Sequence, residues 1–164
     1  MSGAIPNAIL SFTIALHERH WPNPRWIIVP NINAVSLTDL VEEFERQKEF
    51  DPPLGGYAGL IPEYFNFGPL DRYFLSEFEP DSYFTKYPVY LLGCKCGEVG
   101  CWPLTCQIKI ERETVTWHGF MQPHRHERDY SRFGPFVFES EQYRDAVADV
   151  CADYSARIAK DRRL

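Results

Sequence analysis

Residues 89–120 constrain the fold more tightly than any other part of the chain. Three runs that alternate apolar and polar side chains, 89–96, 101–110 and 114–120, are separated by only two short breaks. Alternation at period two is the signature of strands with one buried face. The first break, G-E-V-G at 97–100, places glycines where a hairpin loop needs positive φ. The second, around Arg112 and Glu113, is short enough for a tight turn. Two consecutive antiparallel hairpins are therefore expected. If Cys96 faces Cys101, Leu91 opposes Cys106 and Val89 opposes Ile108. If Arg112-Glu113 is the turn, Ile110 opposes Val115 and Ile108 opposes Trp117. Val89, Leu91, Cys106, Ile108, Ile110, Val115 and Trp117 then share an apolar face.

The opposite face has different chemistry. It carries Cys94, Cys96 and Cys101 and, if the third strand is extended, His124. Three thiols and an imidazole at one sheet end suit a tetrahedral zinc site. Two further readings stay open: small cysteines packing a tight turn, and a redox pair formed by Cys96 and Cys101. A Cys101–His124 nucleophilic dyad is a fourth arrangement that the register permits. Cys106 falls on the core face, and Cys151 on the apolar stripe of the last helix, where each serves as a small hydrophobe.

The rest of the chain supplies a frame. Residues 8–16 alternate with Leu10, Phe12, Ile14 and Leu16 on one side, residues 21–24 break the pattern, and residues 26–29 resume it as an antiparallel partner. Ser36 caps a helix whose Leu37, Leu40, Val41 and Phe44 form an apolar stripe. Residues 136–138 make a further short strand. Ser140 caps a final helix lined by Tyr143, Val147, Val150, Cys151, Tyr154 and Ile158. The expectation is one α+β domain over residues 1–164: an antiparallel sheet of about five to six strands, a helix after the second strand and a C-terminal helix.

Charge and composition exclude some classes. A net charge of −6 opposes nucleic-acid binding, which needs a basic stripe. No apolar run approaches the roughly 20 residues of a membrane span. No secretory signal is evident, and an odd count of five cysteines fits reduced thiols, so a cytoplasmic location is expected. Residues 36–81 hold eleven acids and three bases, and 11 of the 34 residues in 57–90 are aromatic. An acidic, aromatic surface, with Tyr57, Tyr64, Phe65 and Phe67 as binding residues, is the expected recognition face for a basic protein or a small ligand. The polar run 122–130 adds His124, His126, Glu127 and Asp129 as acid–base candidates. It also adds Arg125, Arg128 and Arg132 as holders of a carboxylate or phosphate. No phosphate-loop, dinucleotide-binding, zinc-protease or nucleophile-elbow motif occurs.

Two resemblances follow from the cysteine run. Its C-x-C-x4-C spacing is similar to the small zinc module that follows SET methyltransferase domains, although no SET domain accompanies it. The string L-L-G-C-K-C-G-E-V-G-C-W-P-L (91–104), followed by W-H-G-F-M-Q-P-H-R (117–125) and G-P-F-V-F (134–138), resembles a family of small uncharacterised bacterial proteins. That family has no established activity. The resemblance implies a single-domain cytoplasmic bacterial protein and transfers no catalytic residue. The expectation for function is a non-catalytic binding protein that uses the acidic and aromatic surface of residues 36–90, with or without a structural zinc. The alternatives are a metal- or thiol-dependent enzyme centred on Cys94, Cys96, Cys101 and His124, with Arg125 holding an anionic substrate, and a Cys96–Cys101 redox sensor.

Overall fold

The computed structural model describes residues 3–17, 25–64 and 68–162. Phe65, Phe67 and the break at 21–24 lie outside the described residues. The fold is α+β in a single domain, with a six-stranded sheet, a three-stranded sheet and a long C-terminal helix.

The N-terminal alternating run forms β2 (Leu10–His17), paired antiparallel with β3 (Arg25–Ile32) in unbroken register from Leu10 opposite Ile32 to His17 opposite Arg25. The two-residue β4 (Val35–Ser36) completes this smaller sheet and leads into α1 (Leu37–Gln47). Ser36 caps α1 as expected, its Oγ accepting from the Asp39 amide at 3.3 Å. Leu37, Val41 and Phe44 face the core, and so does Glu45.

The larger sheet runs β1-β9-β8-β7-β6-β5. Its centre is the predicted pair of hairpins: β6 (Val89–Cys94), β7 (Leu104–Ile110) and β8 (Thr114–Met121). The second register is as expected, with Ile110 opposite Val115 and Ile108 opposite Trp117. The first is not. Val89, not Leu91, opposes Cys106, and the strands stop at Cys94 and Leu104. The connection is longer than a hairpin turn because Pro103 has no N–H to give a ladder, and the chain instead folds onto the end of β6 through a 3-10 turn at Val99–Cys101. At Gly93 a Cβ would approach the Val99 Cα to 3.2 Å, so the turn packs where only a glycine leaves room.

The slip is two residues at Val89 and Tyr90, which preserves which face each side chain takes, and one at Leu92 beyond an irregularity in β6. Val89, Leu91, Cys106, Val115 and Trp117 are buried as expected, while Ile108 and Ile110 are half-buried. The short β5 (Tyr57–Ala58) edges the sheet beside β6, and β9 (Phe136–Glu139) pairs with β8. On the other side of β9 lies β1 (Ile5–Ala8), a parallel strand with Asn7 at φ 54°, absent from the sequence reading.

The last helix, α3 (Ser140–Asp161), begins at Ser140, so Ser140 is its first residue and not its cap. Tyr143, Val147 and Val150 are buried against the sheet, and Cys151 is half-buried. The Tyr143 hydroxyl accepts from Trp117 Nε1 and donates to the Phe74 carbonyl, tying α3 to β8 and to α2 (Leu70–Phe74). No helix among the described residues is long and apolar enough to cross a membrane.

Candidate metal centre

Cys94 is the last residue of β6. There the chain turns, Gly97 N–H donating to Cys94 O at 2.9 Å with Gly97 at φ 102°. The turn is held from outside by two bonds: Lys95 N–H to Gly56 O at 2.9 Å, and His17 Nε2–H to Lys95 O at 2.9 Å. Its sulfurs are held from inside. The Cys96 amide donates to Cys94 Sγ at 3.4 Å and the Glu98 amide to Cys96 Sγ at 3.5 Å. Cys101 closes the 3-10 turn, its N–H donating to Glu98 O.

The Sγ atoms of Cys94, Cys96 and Cys101 consequently all lie within 4.8 Å of one another. Cys94 and Cys96 are half-buried and Cys101 is exposed, and all five cysteines are free thiols. Burial raises the Cys94 thiol to about 11. The Glu98 amide, aimed at the neighbouring sulfur, lowers the Cys96 thiol. The loop therefore stabilises a thiolate at one sulfur and crowds two more beside it.

His124 does not join the sulfurs. Beyond Met121 the strand does not continue, and the Gln122 side chain turns the chain by accepting from His124 N at 2.7 Å. The imidazole reaches the same loop by another route: Nε2–H donates to Gly100 O at 2.7 Å, bracing the backbone next to Cys101. Arg125 places its guanidinium 4.7 Å from the Trp102 ring centroid and donates to His124 O. His126 and Glu127 are exposed, and Asp129 accepts from Ser131 N–H, so no histidine–carboxylate dyad forms among the described residues.

The aromatic binding residues divide. Tyr57 is buried, 7% exposed, and its hydroxyl donates to Glu45 Oε2 at 2.7 Å, so it is a core residue and not part of a recognition surface. Tyr64 is 50% exposed and accepts from Arg25 Nε at 3.1 Å. Tyr73 and Phe74 are fully interior, whereas Tyr83 and Tyr87 stack at 4.4 Å on the surface.

A second polar assembly escaped the sequence reading. Glu45 and Arg128 form an ion pair at 3.2 Å with side chains 0% and 2% exposed. Glu45 Oε2 also accepts from Tyr57 and from Tyr130 at 2.5 Å, and Oε1 accepts from Gly55 N–H at 2.7 Å. Arg128 Nη2 donates to the carbonyls of Asp51 and Pro53 at 2.8 and 2.7 Å. Arg128 thus holds a carboxylate, as its type suggests, but an internal one. Trp102 joins this knot to the cysteine loop: Nε1 donates to Gly55 O at 2.8 Å, and the ring lies over Arg128 at 5.6 Å.

Comparison of the chain with protein-family models, with curated proteins and with solved structures finds no match.

Proposed function

We propose that this is a zinc-binding protein whose ion is held by the thiolates of Cys94, Cys96 and Cys101. The observation that carries the reading is the convergence of three sulfurs within 4.8 Å on the eight residues from Cys94 to Cys101, with amide N–H groups already aimed at two of them. With Zn–S bonds of about 2.3 Å and tetrahedral angles, bound sulfurs lie roughly 3.8 Å apart, so closure needs about 1 Å of movement. Three thiolates brought that close repel one another unless a cation sits between them. The fold itself has a full apolar core, so the ion orders the loop and is not required for folding.

Metal analysis of protein purified without chelator tests this directly. One zinc per chain is expected, with loss of the metal in Cys96→Ser while the fold persists. Zinc well below one per chain, or equal zinc in the Cys94→Ser, Cys96→Ser and Cys101→Ser variants, overturns it.

A macromolecular role for the acidic and aromatic surface of residues 36–90 rests on a separate observation, the exposed Tyr83–Tyr87 stack. A basic protein partner captured by the wild type and lost on changing both tyrosines to serine would support it. Equal capture by both proteins would remove it.

A further inference from the structure

A cleft of about 510 Å³ runs along the cysteine loop, a size typical of small-ligand sites. Cys94, Glu98 and Val99 form part of one wall, and Leu60, Ile61 and Tyr64 form the other. The thiol site therefore borders, through Cys94, a half-open cleft of mixed polar and apolar lining as well as bulk solvent.

Three donors meet there, and not a fourth, among the described residues. Among the described residues no imidazole or carboxylate joins the three sulfurs. His124 faces the loop with its Nε2–H committed to Gly100 O, and Glu98 contributes its backbone amide to Cys96. Three protein ligands with one position left over is the pattern of a zinc site that exchanges ligands, whereas structural sites close all four.

Charge selects what enters. A divalent ion on three thiolates carries a net charge of −1, and the Glu98 side chain borders the same cleft. An incoming anion meets repulsion from both, and a neutral donor meets none. Imidazole and related aromatic nitrogen bases are neutral, borderline-soft donors that zinc accepts. Their flat apolar bodies match the Leu60, Ile61 and Val99 side chains.

We propose that a metal ion on Cys94, Cys96 and Cys101 keeps its fourth coordination position open to this cleft and binds there a small ligand with a neutral aromatic nitrogen donor. The proposal rests on the zinc reading above. The exchange is a simple substitution: the ring nitrogen donates its lone pair to the metal as a solvent molecule leaves, with no change of oxidation state.

Gly100 provides a way to block the cleft alone. It lines the cleft, and a Cβ built there meets nothing within 4 Å, so Gly100→Leu adds bulk at the cleft rim without a steric clash at its Cβ. The test uses protein loaded with cobalt(II) in place of zinc. Thiolate-to-cobalt charge transfer reports the three sulfurs, and the ligand-field bands report the fourth position. Imidazole is expected to shift the ligand-field bands saturably at one per chain, and azide to bind about tenfold or more weakly, a difference worth about 1.4 kcal/mol. Gly100→Leu is expected to keep the charge-transfer band and lose imidazole affinity by about tenfold or more, as crowding of a filled volume does. X-ray absorption of zinc-loaded wild type gives a check independent of any variant: three sulfurs and one light atom, with ring scattering appearing on addition of imidazole. Cobalt that binds with charge transfer but ignores imidazole overturns the open position and leaves the zinc reading intact, because an internal ligand then fills the site. Azide binding as tightly as imidazole, or undiminished imidazole binding in folded Gly100→Leu, overturns the ligand class or the cleft. Absence of any charge-transfer band overturns the zinc reading and this one with it.

Discussion

The Glu45–Arg128 knot and the cysteine loop gather polar side chains by the same device, loops drawn in from distant parts of the chain, yet they end in opposite electrostatic states. In the knot every charge has its complement: the Glu45 carboxylate receives an ion pair, two hydroxyls and an amide, and Arg128 is used by two carbonyls besides. In the cysteine loop three groups of one kind face each other, two of them braced by amides and, among the described residues, none by a positive side chain. A satisfied assembly reads as structure. A convergence of like donors without a partner of opposite charge reads as a place for a cation.

Breaking the knot gives the largest expected effect. Arg128→Ala strands a fully buried carboxylate, and Glu45→Ala strands a buried guanidinium; each should cost about 3–5 kcal/mol in urea denaturation. Both variants should also lower zinc affinity, because Gly55 and Trp102 link the knot to the loop. A cost below about 1 kcal/mol would mean that the carboxylate is rehydrated and the pair is not structural.

The loop should respond to metal and not to core packing. At a free zinc concentration of 100 times Kd the wild type should gain about 2.7 kcal/mol of stability. The variant with serine at 94, 96 and 101 should gain none and should match the metal-free wild type without zinc. A triple variant that unfolds in the absence of metal would show the sulfurs to be core residues.

Alkaline pH reaches the knot through its tyrosines. Burial holds the Tyr130 hydroxyl up to about 12, and burial raises Tyr57 as well, against an unfolded value near 10. The neutral hydroxyls are favoured by folding, so their contribution is complete below pH 10 and is lost as pH rises from about 10 towards 12. Tyr57→Phe and Tyr130→Phe should each flatten that loss in a pH series of thermal melts. An unchanged slope in both variants would place the titrating tyrosines elsewhere, Tyr73 and Tyr143 being raised too.

How far each region was legible in the sequence follows from which contacts specify it. Helix α1 and the β7–β8 register rest on local signals, a stripe with a cap and a two-residue turn, and both are as read. The β6–β7 register rests on bonds to Gly56, Gly55, His17 and His124, none of them near in sequence, and it slipped by two at Val89 and by one at Leu92. The sulfurs meet all the same, because the turn after Cys94 and the 3-10 turn at Val99–Cys101 fold Cys96 and Cys101 back onto the end of β6. Strand β1 pairs in parallel with the far end of the chain and leaves no local trace. Glu45 did leave one: it stands eight residues after Leu37 and four after Val41, on the buried stripe of α1, where an acid needs a partner. Tyr57 was read as surface because an aromatic-rich segment shows its composition and not its depth; only the hydroxyl's partner places it inside.

The smallest expected effect is the one that ties the two regions together. Trp102 belongs to the cysteine connection, yet its Nε1–H is spent on the carbonyl of Gly55, the residue whose amide serves Glu45 and whose neighbour Gly56 holds Lys95. Trp102→Phe keeps a smaller aromatic face for Arg125 and Arg128 and removes that bond, whose own share of the loss is about 1 kcal/mol. If the link transmits order, the same change should weaken zinc binding by a few-fold, and Trp102→Phe combined with Arg128→Ala should weaken it by less than the two separate losses added together. Independent regions would give additive losses within about 0.5 kcal/mol. A double-mutant cycle on zinc affinity therefore decides whether the knot merely adjoins the cysteine loop or sets its shape.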